Sequence, residues 1–124
     1  PVWSHPEIQL HFQSPLLFNG HIYLVSGDND NTGTLQCLDW NTGNVKWKQP
    51  TGGNRGSVIA AGGKLIVVTE PGEVILADAS PDGYRELGRV HELSKRVWAA
   101  PAFSDKRLFI RNNAGSLVCL DLAP

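Results

Sequence analysis

Residues 14–47 read SPLLFNGHIYLVSGDNDNTGTLQCLDWNTGNVKW, and the chain then says nearly the same thing twice more. With Ser14 set over Ser57 and Ala100, an even spacing of 43 residues, three lines fall into register. Gly20, Ile22 and Tyr23 lie over Gly63, Leu65 and Ile66, and over Lys106, Leu108 and Phe109. Gly33, Leu35, Cys37 and Asp39 lie over Gly72, Val74, Leu76 and Asp78, and over Gly115, Leu117, Cys119 and Asp121. The extra residues of the first copy fall in the polar stretch 26–33, a loop. A regular period of this length marks a repeat array.

Each copy has the pattern of strands. Pro15-Leu-Leu-Phe18 is a short apolar run closed by Asn19-Gly20, a dipeptide that favours a tight hairpin. His21-Ile-Tyr-Leu-Val25 and Thr34-Leu-Gln-Cys-Leu-Asp39 alternate, with β-branched and aromatic side chains. Asn41-Thr-Gly43 then turns the chain into Val45-Lys-Trp47. No window carries apolar residues at sustained helical spacing, so no substantial helix is expected. Four short antiparallel strands in about 43 residues are the size of one β-propeller blade.

The pattern Ser-Pro followed by Gly20 and Tyr23, then Gly33, Leu35, Leu38-Asp39, Thr42-Gly43 and Trp47, resembles the repeat of the pyrroloquinoline-quinone (PQQ) type propellers. That superfamily holds quinoprotein alcohol dehydrogenases and non-catalytic relatives, among them a lipoprotein of the outer-membrane β-barrel assembly machine. The likeness is strong in residues 14–47, where Trp47 fits the family's tryptophan-docking pattern. It is partial in the second copy, where Asp78-Ala-Ser-Pro-Asp-Gly-Tyr84 replaces the Thr-Gly turn and no tryptophan follows. Cys37-Leu-Asp and Cys119-Leu-Asp give it the flavour of the PQQ-binding-like repeat proteins.

The expected fold is therefore all-β: about three four-stranded antiparallel blades. Residues 1–13 form the outer strand of a preceding blade and a connector, residues 14–50 and 57–93 are blades, and residues 98–124 are a last blade without its outer strand. Closed propellers have four to eight blades, so the expectation is the C-terminal part of a larger, seven- or eight-bladed propeller. The alternative is a small self-contained unit whose leading strand completes the third blade.

The 124 residues carry a net charge of −1 from 11 basic and 12 acidic side chains. This balance argues against nucleic acid or an anionic membrane as an electrostatic partner, and no apolar run is long enough to insert into a bilayer. Cys37 and Cys119 hold one position in two copies, too far apart for a disulfide, which needs Cα atoms within about 7 Å. Both are expected to be reduced, packed thiols.

Several motifs invite chemistry and fall short of it. His5 and His11 lack a third ligand at metal spacing. Asp28-Asn-Asp30-Asn31 lacks the spacing and closing Glu of a calcium loop. Gly52-Gly-Asn-Arg-Gly56 has no following Lys-Ser/Thr or helix. Ser14, Ser57 and Ser104 sit in no nucleophile elbow. Asp39, Asp78 and Asp121 recur in every copy. Repetition points to a turn role, a carboxylate accepting backbone N–H bonds. Trp47 reads as a wedge between sheets. No catalytic residue and no metal ligand is assigned.

Functional residues should break the repeat at the channel mouth, where the connections between blades and the second-to-third-strand turns open on one side. Phe12, Arg55 and Trp98 stand two residues before each anchor and all differ. The turns add residues 28–31, Glu70 and Arg111-Asn112-Asn113. Arg55, Trp98 and Arg111, with Asn112 and Phe12, form the candidate ligand set, since two cations and an aromatic face suit a planar or anionic group. Weighed against this, Trp98 would pack between blades and the arginines would pair with carboxylates.

The resemblance implies an extracytoplasmic protein, periplasmic or in the cell envelope, though residues 1–124 contain no signal peptide. The favoured function is a non-enzymatic binding or assembly platform that needs no cofactor. Its partners are the other blades of its propeller and a protein or small-molecule ligand at the mouth. The alternative is a fragment of a PQQ- and calcium-dependent alcohol dehydrogenase, an oxidoreductase.

Overall fold

In the computed structural model the described residues are 3–4, 8, 14–27, 33–51, 56–91, 101–104, 106–111 and 114–121. They form eleven strands, all antiparallel to their neighbours, in three sheets, with no helix among the described residues. Sheet 1 has the order β1-β2-β3-β4: Leu16–Phe18, His21–Ser26, Thr34–Asp39 and Val45–Pro50. Sheet 2 repeats it as β5-β6-β7-β8: Gly56–Ala61, Lys64–Thr69, Glu73–Asp78 and Glu86–His91. Sheet 3 has three strands, β9 (Ala102–Ser104), β10 (Arg107–Arg111) and β11 (Leu117–Asp121), with β10 in the middle.

The repeat is visible down to single bonds. Phe18 pairs with His21 across Asn19-Gly20, and Ala61 with Lys64 across Gly62-Gly63. Both residues of each turn have positive φ: 50° and 78°, then 57° and 78°. This is the turn whose twist matches the flanking strands. Lys106, aligned with Gly20 and Gly63, adopts φ 63° despite its side chain. The amide of Trp40 donates to the Gly20 carbonyl and that of Ala79 to the Gly63 carbonyl. Register slips at Cys37/Leu38 in sheet 1 and at the aligned Leu76/Ala77 in sheet 2, and such bulges bend and twist the outer strand.

Alternation along the strands gives every sheet two apolar faces. Tyr23, Val25, Leu35 and Cys37 point from sheet 1 into a core shared with Val58, Leu65, Val67, Ile75 and Ala77 of sheet 2. Ile66, Val68 and Val74 leave the other side of sheet 2 and meet Leu108 and Ile110 of sheet 3. Ile22, Leu24 and Leu38, on the rear of sheet 1, are covered by Trp3 and Ile8. Each fully buried Leu, Ile or Val contributes roughly 1.5–3 kcal/mol, so these two-sided sheets are stable only when stacked. Strand β5 approaches both β1 and β2. A Cβ added at Gly56 would lie 3.1 Å from the Val25 methyls, so the first strand of sheet 2 runs close against β1 and β2 of sheet 1.

One expectation needs correction. Cys37 is buried and free, but Cys119 is free and exposed rather than packed. Its counterparts Cys37 and Leu76 face a following sheet, whereas no described residue covers that face of sheet 3. The three aligned residues Leu35, Val74 and Leu117 show the same progression, at 0%, 5% and 68% exposure.

Candidate functional site

Trp3 and Trp47 close the sheet seams. On β4, Trp47 stands opposite Cys37, and its ring lies between Tyr23 (centroids 6.2 Å apart) and Tyr84 (5.7 Å). Its indole N–H donates to the Ser80 carbonyl at 2.8 Å. Trp3 acts likewise one sheet earlier, donating to the Trp40 carbonyl at 2.8 Å. Its ring presses on Gly43, where a Cβ would come within 2.5 Å of it at a φ of +74°. Gly43 is therefore required both by conformation and by space.

The recurring aspartates serve these turns, though not uniformly. An Asp39 carboxylate oxygen accepts the amides of Asn41 at 2.8 Å and Thr42 at 3.1 Å, and these bonds hold its pKa below the usual value. Asp78 departs from the expected role. It lies 3.7 Å from both Lys64 and Arg85, and the Ser80 hydroxyl accepts the Asp82 amide at 3.1 Å. The second turn is longer and contains Pro81, and serine takes over its internal bond. Asp121 ends β11, and the residues after it lie outside the described set.

At the opposite end of the sheets, polar groups are buried. Ser26 ends β2, Thr51 follows β4, Ser57 lies in β5, Thr69 ends β6, and Glu70 follows it at 4% exposure. The Thr69 hydroxyl accepts the Glu73 amide at 3.0 Å, and its carbonyl accepts the Gly72 amide at 3.0 Å, which fixes the tight turn beside Glu70. The Thr51 hydroxyl is buried with no hydrogen-bond partner among the described residues. This end is the expected mouth, and the sequence places Glu70 there as a turn residue. Its burial was not foreseen.

Of the ligand set, Arg111 is described: it ends β10, exposed, opposite Leu117. Phe12, Arg55, Trp98 and Asn112 lie outside the described residues, as do residues 28–31 and Asn113. The structure thus does not bring the set together or separate it.

A polar cluster missed by sequence reading lies on β8 instead. The Arg89 guanidinium forks onto Glu86, with Nη2 at 2.6 Å, while Nη1 reaches Glu73 at 2.8 Å. The Tyr84 hydroxyl donates to Glu86 at 2.7 Å. Burial first, and this bond to Glu86 second, push the Tyr84 phenol up to about 12. The bonds from Arg89 and Tyr84 hold the Glu86 carboxyl below its usual range. All four groups are spent on one another, which suits a brace across β7 and β8 rather than a reactive centre.

Trp3 and Trp47 are committed to seams, and among the described residues no three His, Cys, Asp or Glu side chains gather as metal ligands.

A family model described as outer membrane protein assembly factor BamB matches residues 3–85. The chain belongs to this PQQ-like repeat family. The match spans sheet 1, the first three strands of sheet 2 and both tryptophans of the seams. No curated protein matches the chain. Among solved structures, the computationally designed Ika4 protein aligns with 12% identity and a TM-score of 0.40, over 98% of this chain and 100% of that one. A likeness of that degree carries no argument.

Proposed function

We propose that the three sheets are blades of a β-propeller, part of a larger seven- or eight-bladed ring, and that the protein is a non-enzymatic binding or assembly platform in the cell envelope. The membership of a family described as an outer-membrane assembly factor carries this reading. The front-to-back stacking supports the propeller, because sheet 2 buries one face against sheet 1 and the other against sheet 3, and the rear of sheet 1 is apolar as well. The close approach of β1 and β5 fits inner strands gathered about an axis. On this reading residues 1–13 are the outer strand of a preceding blade and a connector, 14–50 and 57–93 are blades, and 98–124 are a last blade without its outer strand.

The ligand is a protein segment or small molecule held at the mouth, where Arg111 is exposed and Phe12, Arg55, Trp98 and Asn112 complete the contact set. The test is anisotropy titration of a labelled outer-membrane β-barrel precursor peptide with wild type and Arg111→Glu, beside dye-linked alcohol oxidation with added PQQ and Ca²⁺. Saturable binding that Arg111→Glu weakens, with no PQQ-dependent dye reduction, supports the platform. PQQ-dependent dye reduction would favour the alternative quinoprotein dehydrogenase and sink this reading.

A further inference from the structure

Among the described residues, the seam between sheets 2 and 3 lacks a tryptophan wedge. In sheet 1 the residue opposite Cys37 is Trp47, and in sheet 2 the residue opposite the aligned Leu76 is Gly88. A Cβ built on Gly88 would meet nothing within 4 Å. The space left over forms two adjoining clefts that share Ile66 and Leu76 in their walls. One, of about 390 Å³, is lined by Ala61, Gly62, Lys64, Ile66, Leu76, Phe103 and Lys106. The other, of about 160 Å³, reaches past Gly88 to Val90.

We propose that the cleft between sheets 2 and 3, open because Gly88 stands where Trp47 closes the preceding seam, binds a planar aromatic carboxylate. Its walls are the apolar faces of β6, β7 and β9, and the matching space in the first seam is filled by an indole. The larger cleft falls in the size range of small-ligand sites, about 300–1,000 Å³. Among the described residues, both charged side chains that line it are lysines. Lys106 is exposed and sits on the turn between β9 and β10, while Lys64 lies 3.7 Å from Asp78. The nearby Arg89 is committed to Glu73 and Glu86. An ammonium on a flexible stem can follow a carboxylate at the cleft rim, while the ring replaces the missing wedge. The site is separate from the mouth, so it stands or falls independently of the platform reading.

The probes are indole-3-acetate and its neutral counterpart tryptophol, titrated into the protein and followed by amide chemical shifts. Indole-3-acetate should saturate shifts at Gly62, Ile66, Leu76, Gly88 and Lys106, and tryptophol should bind about tenfold more weakly, as expected for loss of a charge-assisted contact. Gly88→Trp should abolish binding by supplying the wedge from within. Lys106→Glu, on an exposed turn, should weaken indole-3-acetate binding by a similar factor without lowering Tm. Shifts that do not saturate, equal affinity for the two probes, or unchanged binding in Lys106→Glu would overturn the proposal.

Discussion

The Trp47 indole N–H donates to the Ser80 carbonyl at 2.8 Å and joins sheet 1 to the turn between β7 and β8 of sheet 2. Trp3 and Trp40 make the same bond one sheet earlier. Both faces of sheet 1 are thereby latched by an indole, Trp47 toward sheet 2 and Trp3 on the other side, while the apolar faces supply most of the adhesion.

Trp47→Ala should cost about 3 kcal/mol in denaturant unfolding, from lost ring burial and an orphaned carbonyl. Trp47→Phe should recover most of the packing and fall short by about 1 kcal/mol, the contribution of the hydrogen bond. Equal losses for the two variants would show that the bond, not the ring, closes the seam.

Gly43→Ala should destabilise by more than about 1 kcal/mol, because its φ of +74° is strained for any side chain and the new Cβ meets the Trp3 ring. In a Trp3→Ala background the steric part should vanish and only the conformational part remain. A double-mutant cycle reads the difference as coupling.

The repeat, its strands and its hairpins were legible because period, alternation and Asn-Gly turns are local signals. Even Lys106 was correctly aligned with two glycines, and its positive φ follows. The role of Gly88 was not legible. A period of 43 residues would set Val90 beneath Trp47, but the β6–β7 loop is four residues shorter than its counterpart in sheet 1 and the turn after Asp78 two residues longer, so that Gly88 faces Leu76. The Arg89 brace was equally hidden, since it depends on which strands lie side by side. For the mouth, irregularity within the repeat named candidates, and Arg111 alone among the five lies in a described segment.

Asp39 and Glu86 both have carboxyl groups held below their ordinary pKa by donors present only in the fold. Their contribution to stability is full above the unfolded carboxylate range and is lost as pH falls through the lower folded values. The stability gap between wild type and the Asp39→Ala/Glu86→Ala double variant should therefore narrow on acidification from about pH 6 to pH 3. Urea midpoints measured across that window check it, and a gap that widens would contradict the assignment.

Both tyrosines resist ionisation. Burial raises Tyr23, and Tyr84 is pushed from 10.0 up to about 12. A phenol whose folded pKa is raised stabilises the fold below its unfolded value and loses that contribution as pH rises through the folded one. Spectrophotometric titration should show no phenolate in the folded protein near pH 10, with absorbance appearing only as the chain unfolds. Early ionisation of Tyr84 would remove it from the aromatic seam.

The account rests on sheets stacked front to back, each offering alternate residues to its two neighbours, and thiol reactivity with side-chain NOEs measured in one sample tests this most directly. The prediction is NOEs linking the Val25 methyls to Gly56 and the Trp47 ring to Tyr84, with Cys119 labelled quickly in the folded protein and Cys37 only on unfolding. Rapid labelling of Cys37, or the absence of NOEs between sheets 1 and 2, would contradict it.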